Sequence, residues 1–110
     1  MLIGERAEKG RNRGRLDIIR DVLSVALVEV RKTRIMYQAN LSFDQLENYL
    51  KLLLAGGLLE REGNSMYLTT SKGQEYLQAY VKYLARCERV SQEIEQVVAE
   101  RQALEGILQT

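Results

Sequence analysis

The sequence has 110 residues, and its 16 Lys and Arg residues nearly balance 15 Asp and Glu residues, for a net charge of +1. This length predicts one domain with at most an extension, which is too small for an elaborate active site. There is no histidine, and Cys87 is the only cysteine, so an intramolecular disulfide and a Cys/His zinc site are both excluded.

The charge is unevenly distributed along the chain. Residues 1–37 hold nine basic and five acidic residues, whereas residues 38–70 hold two and four. Residues 1–15 carry three glycines, five basic residues and little apolar content after Ile3. We predict a flexible basic arm there, with simple disorder as the alternative, and the basic third is the candidate surface for an anionic partner.

Two helices are predicted before residue 40. The first covers about residues 16–30, because apolar residues recur there with helical spacing over a broad face. Thr33 is predicted to cap a second, short helix that ends at about Ala39. Asn40-Leu41 then makes a tight turn.

The third helix, about residues 42–55, has chemical signals at both ends. Ser42 and Gln45 form an S-x-x-Q capping box, in which each side chain bonds the backbone N–H of the other. Gly56-Gly57 can adopt the left-handed conformation that closes a helix. The predicted buried face consists of Phe43, Leu46, Leu50, Leu53 and Leu54.

After Gly57 the apolar period shifts towards two. The segments "LLERE" and "MYLTT" flank "GNS", which predicts a β-hairpin with its turn at about Gly63-Asn64. Thr70 or Ser71 then begins a last helix, which contains no proline and is expected to run to Leu108. At ~1.5 Å per residue it would reach about 58 Å, roughly twice the ~30 Å across a compact body of ~70 residues.

The projecting half of this helix carries an apolar seam. Its spacing alternates mostly between 3 and 4 residues, with a stammer around Cys87 and with Arg101 as the polar exception. An exposed seam of that length requires a partner, and the simplest partner is a second copy of the same helix. The predicted dimer interface consists of Tyr80, Leu84, Cys87, Val90, Ile94, Val97, Leu104 and Leu108.

The order of elements predicts a mainly α fold, an α+β winged helix. It comprises a helix-turn-helix, a hairpin wing at about residues 61–66 and a long C-terminal coiled-coil helix. The predicted units are the arm (1–15), the winged helix-turn-helix domain (16–76) and the dimerisation helix (77–110), which continues the helix that begins at about residue 70. Since the sequence has no Gly-Lys-Ser/Thr phosphate loop and no nucleophile with a plausible base, we expect no enzymatic activity, no catalytic residue, no cofactor and no metal.

The segment "KTRIMYQANLSFDQLENYLKLLLAGGLLE", followed by "YLTTSKGQEYL", resembles archaeal winged-helix DNA-binding proteins of the predicted transcriptional regulator type. That group includes the "10a" chromatin-associated proteins. The resemblance covers about residues 14–110 and is specific through residues 32–77. It implies double-stranded DNA binding by a homodimer whose last helices pair antiparallel, and hence a cytoplasmic, nucleoid-associated protein. No membrane partner is expected, because the longest uncharged apolar run, Val22 to Val28, is far shorter than the ~20 residues that span a bilayer.

The third helix is the predicted recognition helix for a major groove, with the wing on the DNA backbone. Gln and Asn side chains can pair with adenine, and Lys with guanine or phosphate, while Arg suits phosphate contact. The candidate DNA-binding residues are Ser42, Gln45, Asn48, Tyr49 and Lys51 on the third helix, Arg34 and Tyr37 on the short helix, Arg61 and Asn64 in the wing, and Arg11, Arg13 and Arg15 in the arm.

Other interpretations of these residues stay open. Capping already explains Ser42 and Gln45, and Tyr49 suits a half-buried position. Glu47 and Lys51 are spaced to pair with each other. Acidic side chains on the third helix are unfavourable beside phosphate. The alternative function is therefore a winged-helix protein–protein interaction module without DNA binding.

Overall fold

The computed structural model describes residues 13–109. In this range, four α-helices accompany a three-stranded antiparallel sheet with the strand order β1-β3-β2. The sequence prediction of a mainly α, α+β winged helix with a long last helix is confirmed. In chain order the elements are α1 (Arg15–Val25), β1 (Val30–Arg31), α2 (Lys32–Gln38), α3 (Phe43–Ala55), β2 (Leu59–Glu62), β3 (Met66–Thr69) and α4 (Ser71–Leu108).

The first helix is shorter than the sequence predicts. Val30 does not continue α1 but begins β1, where it lies opposite Tyr67 of β3. The backbone N–H of Thr69 donates to the carbonyl of Ala26 (2.8 Å), and the Thr69 hydroxyl donates to the carbonyl of Leu23 (2.8 Å). Because β3 supplies partners for carbonyls at the end of α1, the chain can leave the helix there although its apolar residues keep a helical spacing.

The short helix and the third helix end in the same way. Asn40 after α2 has a φ of 56°, and Gly57 after α3 has a φ of 79°. The next N–H in each case reaches back to the last turn, from Leu41 to the Met36 carbonyl (3.0 Å) and from Leu58 to the Leu53 carbonyl. This Schellman closure stops both helices within one residue, and it confirms the predicted tight turn between them.

The two helices begin differently. The capping box of α3 is confirmed, since the Gln45 N–H donates to Ser42 Oγ (3.2 Å) and the Ser42 N–H donates to Gln45 Oε1 (3.0 Å). Thr33, the predicted cap of α2, instead lies inside its first turn, because α2 begins two residues earlier than predicted, with Arg31 in the capping position.

The hydrophobic core lies where α1, α2 and α3 meet the sheet. Phe43 is 60 % exposed, which corrects its predicted burial. It is the first residue of α3 and lies outside the core, with Lys32 Nζ 5.9 Å from its ring centroid. The largest fully buried side chains are Val22, Leu23, Ile35, Leu46, Leu53 and Leu59.

The last helix begins at a firm junction and extends well beyond the body. Thr70 caps it by accepting from the Gly73 N–H (3.1 Å), while the Thr70 hydroxyl donates to the Gly57 carbonyl (2.6 Å). The helix has 38 residues, and the molecule measures 73 × 26 × 19 Å. Tyr80 is only 4 % exposed and donates its hydroxyl hydrogen bond to Asp17 of α1. Tyr80 thus belongs to the folded body, and the exposed seam begins beyond it.

Candidate nucleic-acid interface

The polar side chains of α3 lie away from the core. Gln45, Asn48 and Lys51 are exposed, as is Ser42 at the start of the helix. Tyr49 is half-buried and packs against the core cluster. The Gln45 carbonyl oxygen is engaged by the Ser42 N–H, so the capping box uses its acceptor and not its NH₂ donors. The helix therefore presents amide and ammonium donors to its surroundings.

Two adjoining clefts separate the hairpin from α2 and α3. The wing cleft has a volume of about 360 Å³, and its lining residues are Arg31, Lys32, Thr33, Arg61, Asn64, Ser65 and Tyr67. The helix cleft, of about 180 Å³, is lined by Lys32, Glu47, Leu50, Lys51, Leu54, Arg61 and Tyr67. Three of the residues predicted from the sequence therefore line these two clefts: Lys51, Arg61 and Asn64.

An ion pair joins α2 to α3 across the helix cleft. Lys32 Nζ lies 2.7 Å from Glu47 Oε2, and the two side chains are 39 % and 42 % exposed. The hydrogen bond that the Lys32 ammonium donates to the Glu47 carboxylate is the main reason why the pKa of Lys32 lies above its ordinary value. Glu47 thus pairs with Lys32 of the preceding helix, whereas the sequence spacing suggested Lys51.

Two arginines order the wing, Arg61 by a contact within the hairpin and Arg31 by a bond from β1 to the hairpin turn. Arg61 stands over the ring of Tyr67, its cross-strand partner, with the guanidinium carbon 5.6 Å from the ring centroid. Arg31 Nη1 donates to Ser65 Oγ in the hairpin turn (3.1 Å). At that turn Gly63 has the left-handed φ of 66°. These contacts place Arg61 and Asn64 beside the start of α2.

The sequence prediction missed Arg31, Lys32 and Thr33 as members of this surface. The available signal was the basic run Arg31–Arg34, "RKTR", within the basic third of the chain. Arg34 and Tyr37, which were predicted, are exposed, Tyr37 to 78 %. Neither lines either cleft, so these two side chains lie on a separate part of α2.

Arg13 belongs to the folded body and not to a flexible arm. Its guanidinium lies 2.7 Å from Asp21 Oδ2 and donates to the carbonyls of Ala39 (2.6 Å) and Asn40 (2.8 Å). Arg15 is the first residue of α1 and is exposed. The predicted arm therefore cannot include residues 13–15 as a mobile part, because Arg13 ties α1 to the turn after α2. Arg11 lies outside the described residues.

The seam on α4 is more regular than the sequence prediction. Leu84 and Cys87 are half-buried, and the remaining predicted members beyond Tyr80 are exposed. When Tyr83, which is 50 % exposed, takes the place of both Tyr80 and Leu84, the stammer disappears. The alternating spacing of four and three then runs through Tyr83, Cys87, Val90, Ile94, Val97, Arg101, Leu104 and Leu108.

Residues 13–109 contain neither a metal-binding cluster nor a membrane-spanning helix. In that range, His, Cys, Asp and Glu side chains form no group of three or more that could hold a metal ion. The helices described there lack the combination of length and apolar character that a membrane crossing requires.

The two short helices joined by a tight turn and the hairpin that follows them define a winged-helix protein. Residues 12–88 match the winged helix-turn-helix family, and the chain belongs to this family. It is similar to the crystal structure of Sso10a-2, described as a DNA-binding protein from Sulfolobus solfataricus, with a TM-score of 0.54 and 23 % identity over 89 % of this chain and 99 % of that one. It is also similar to the crystal structure of ligand-free NadR, with a TM-score of 0.54 and 18 % identity over 98 % of this chain and 85 % of that one. At these identities both likenesses concern the fold. No curated protein sequence matches this chain.

Proposed function

We propose that this chain binds double-stranded DNA as a homodimer, as a transcriptional regulator or a chromatin-associated protein of the cytoplasm. The observation that carries the proposal is the meeting of cations from three elements: Lys32 of α2, Lys51 of α3 and Arg61 of β2 line one cleft of a winged helix. Lys and Arg side chains that neutralise phosphates supply most of the sequence-independent affinity for DNA. The description of Sso10a-2 as a DNA-binding protein supports the same assignment.

In this proposal α3 enters the major groove, which is wide enough to admit one helix. Asn48 and the NH₂ group of Gln45 would meet base edges, and Lys51 a guanine or a phosphate. Arg34, Tyr37 and Ser42 would contact the backbone from the helix-turn-helix, and Arg61 and Asn64 from the wing. Arg11 and Arg15 remain candidates for further backbone contacts, whereas the internal bonds of Arg13 favour a structural role.

Dimerisation is proposed to occur through α4. The unbroken alternation of four and three residues from Tyr83 to Leu108 is the pattern with which two helices wind around each other. Cys87 serves there as a small apolar residue. The antiparallel arrangement rests on the resemblance of the sequence to the "10a" group.

The test of the DNA-binding face is the double substitution Lys51→Ala with Arg61→Ala. If the protein neutralises about six phosphates, the slope of log affinity against log salt is near −5, and losing two contacts should reduce its size by about 2. Affinity should fall alike for all duplex sequences, because phosphate contacts carry no sequence information. Fluorescence anisotropy of labelled duplexes across a salt series measures both quantities.

The matched control is Lys82→Ala with Arg89→Ala, which removes two exposed cations from α4. This control should keep the wild-type slope. If the Lys51/Arg61 variant also keeps the wild-type slope of log affinity against log salt, the proposed DNA-binding face is wrong.

A protein-interaction module is the second candidate function. The exposed ring of Phe43 beside the acidic Asp44 at the start of α3 favours it, since an apolar side chain next to a carboxylate suits a protein partner better than phosphate. Duplex binding by the wild-type chain at ~50 mM salt separates the two candidates, because even non-specific DNA binders bind well there.

A further inference from the structure

The wing cleft has the lining of an anion site. Arg31, Lys32 and Arg61 supply three cations, and Thr33, Asn64 and Ser65 supply hydroxyl and amide donors. Among the described residues, no acidic side chain lines this cleft. Sites for apolar ligands are lined mainly by hydrophobic side chains, so the chemistry that fits this space is a phosphate with its ester oxygens.

The cations of the wing cleft are held in position but keep donors for a ligand. Arg31 uses one bond to Ser65, and a guanidinium has five N–H donors. The guanidinium carbon of Arg61 lies 5.6 Å from the ring centroid of Tyr67, a contact that uses none of its five N–H donors in a hydrogen bond. Lys32 lines the same cleft as both arginines, so three like charges lie around one space. A bound anion would therefore reduce the repulsion among the cations of the cleft.

Lys32 lines the wing cleft and is also paired with the carboxylate of Glu47. It lines both clefts, and Glu47 lines the helix cleft alone. The Glu47 carboxylate lies 2.7 Å from Lys32 Nζ, with both side chains partly exposed. Exposed pairs of this kind are weak because solvent screens them, so an incoming phosphate can replace the carboxylate.

We infer that the wing cleft binds one phosphodiester group of the duplex backbone, and that Glu47 occupies Lys32 until this phosphate displaces it. The inference rests on the proposed function and adds to it a defined phosphate site with an internal competitor. Glu47 then lowers the affinity for every duplex sequence, since it competes for a backbone contact.

A double-mutant cycle between Lys32 and Glu47 tests the inference by duplex anisotropy at fixed salt. Lys32→Gln should weaken binding and reduce the size of the salt slope by about 1. Glu47→Gln should strengthen binding about two- to fivefold, the range expected when a weak exposed pair is released. In the Lys32→Gln background, Glu47→Gln should lose this gain. Thermal melts followed by circular dichroism establish that each variant is folded.

Asp44→Asn is the matched control for Glu47→Gln. Asp44 is an exposed carboxylate one turn earlier on α3, and it lines neither cleft. Its removal reports the general repulsion between α3 and DNA, and the effect should be equal in the wild-type and Lys32→Gln backgrounds. If Glu47→Gln behaves like Asp44→Asn in both backgrounds, its role as a competitor for Lys32 is overturned.

Two further outcomes separate the site from its alternatives. In one arm, inorganic phosphate is added at constant ionic strength while the amide resonances of Thr33 and Asn64 are followed by NMR. Saturable shifts there would show that the cleft binds free phosphate. If Lys32→Gln also leaves the duplex affinity unchanged, the inference is overturned while the proposed function stands. Failure of the wild-type chain to bind any duplex at low salt would overturn the proposed function, and the inference with it.

Discussion

Gly73 is the point of closest approach between α4 and the rest of the domain. A Cβ atom there would lie 2.5 Å from the Leu58 carbonyl oxygen and 2.5 Å from Thr69 Cγ2. Real side chains do not tolerate such distances, so a larger residue must push the helix away from the hairpin. The junction between body and long helix thus depends on the absence of one methyl group.

Gly73→Ala should lower the free energy of unfolding by about 1–3 kcal/mol, the usual cost of overpacking. Gly106→Ala is the matched control, because nothing lies within 4 Å of the position where its Cβ would be. Gly106 lies in the last turn of α4, so alanine there should raise stability by at most about 0.5–1 kcal/mol, the value for a helix interior. Urea unfolding followed by circular dichroism measures both. Equal effects of the two substitutions would contradict the close contact at Gly73.

Tyr76 links α4 to α1 in a way that depends on pH. Its hydroxyl donates to the Leu16 carbonyl (2.8 Å), and burial together with the nearby Asp17 raises its pKa to about 12. An unfolded tyrosine ionises near pH ~10, so the folded state holds the proton more tightly. The stabilisation is therefore complete below pH ~10 and is lost as the pH rises through about 12.

Tyr76→Phe should flatten the fall of unfolding free energy between about pH 10 and 12. Tyr37→Phe, at the exposed end of α2, should leave the wild-type profile unchanged. Urea unfolding at a series of alkaline pH values provides the comparison. A Tyr76→Phe profile that falls as steeply as the wild type would show that this phenol does not titrate as proposed.

At the scale of elements, the sequence predicts what local chemistry controls. The capping box of α3, the left-handed closures at Asn40 and Gly57, and the Thr70 cap each depend on residues a few positions apart. The end of α1 and the strand β1 were not predictable in this way. They depend on bonds from Thr69, more than forty residues further along the chain.

In the candidate site, too, the sequence predicts the residues placed by local structure and misses those placed by long-range contacts. Lys51, Arg61 and Asn64 were predicted because each stands on the polar side of its own element. Lys32 was missed because its place is defined by Glu47 and by the hairpin, which only the folded chain brings close. The internal bonds of Arg13 were not predictable for the same reason, since its partners are the carbonyls of Ala39 and Asn40 after α2.

Thr69→Val tests the long-range bond that ends α1. The substitution keeps the shape of the side chain but leaves the buried Leu23 carbonyl without the hydroxyl donor, which should cost about 1–3 kcal/mol. Thr33→Val, at an exposed position of α2, should change stability by less than about 0.5 kcal/mol. Chemical denaturation gives both values. A neutral Thr69→Val would mean that the hydroxyl bond does not hold the end of α1.

The whole molecule is elongated because half of α4 leaves the body with its apolar seam exposed. Large side chains such as Val97 and Leu104 remain 62 % and 65 % exposed. An exposed apolar stripe of this length, interrupted at Arg101, is uncommon on a monomer, and a second copy of α4 would bury it.

Ile94→Glu should convert the proposed dimer into a monomer, because it introduces a charge at the centre of the seam. Gln92→Glu adds the same charge outside the seam and should leave the dimer intact. Light scattering at micromolar concentration measures the mass of each species. A wild-type chain that is monomeric under these conditions would contradict dimerisation through α4.

The continuity of α4 has one last consequence. The helix is capped at Thr70, bonded to α1 through Tyr80 and unbroken to Leu108. In a dimer, its length would therefore fix the distance between the two winged-helix domains, the heads. Seven extra residues would lengthen it by about 10 Å while nearly preserving the direction that each head faces, whereas four would turn one head relative to the other. The length of DNA that a dimer could bridge would therefore change in steps set by the number of turns in α4.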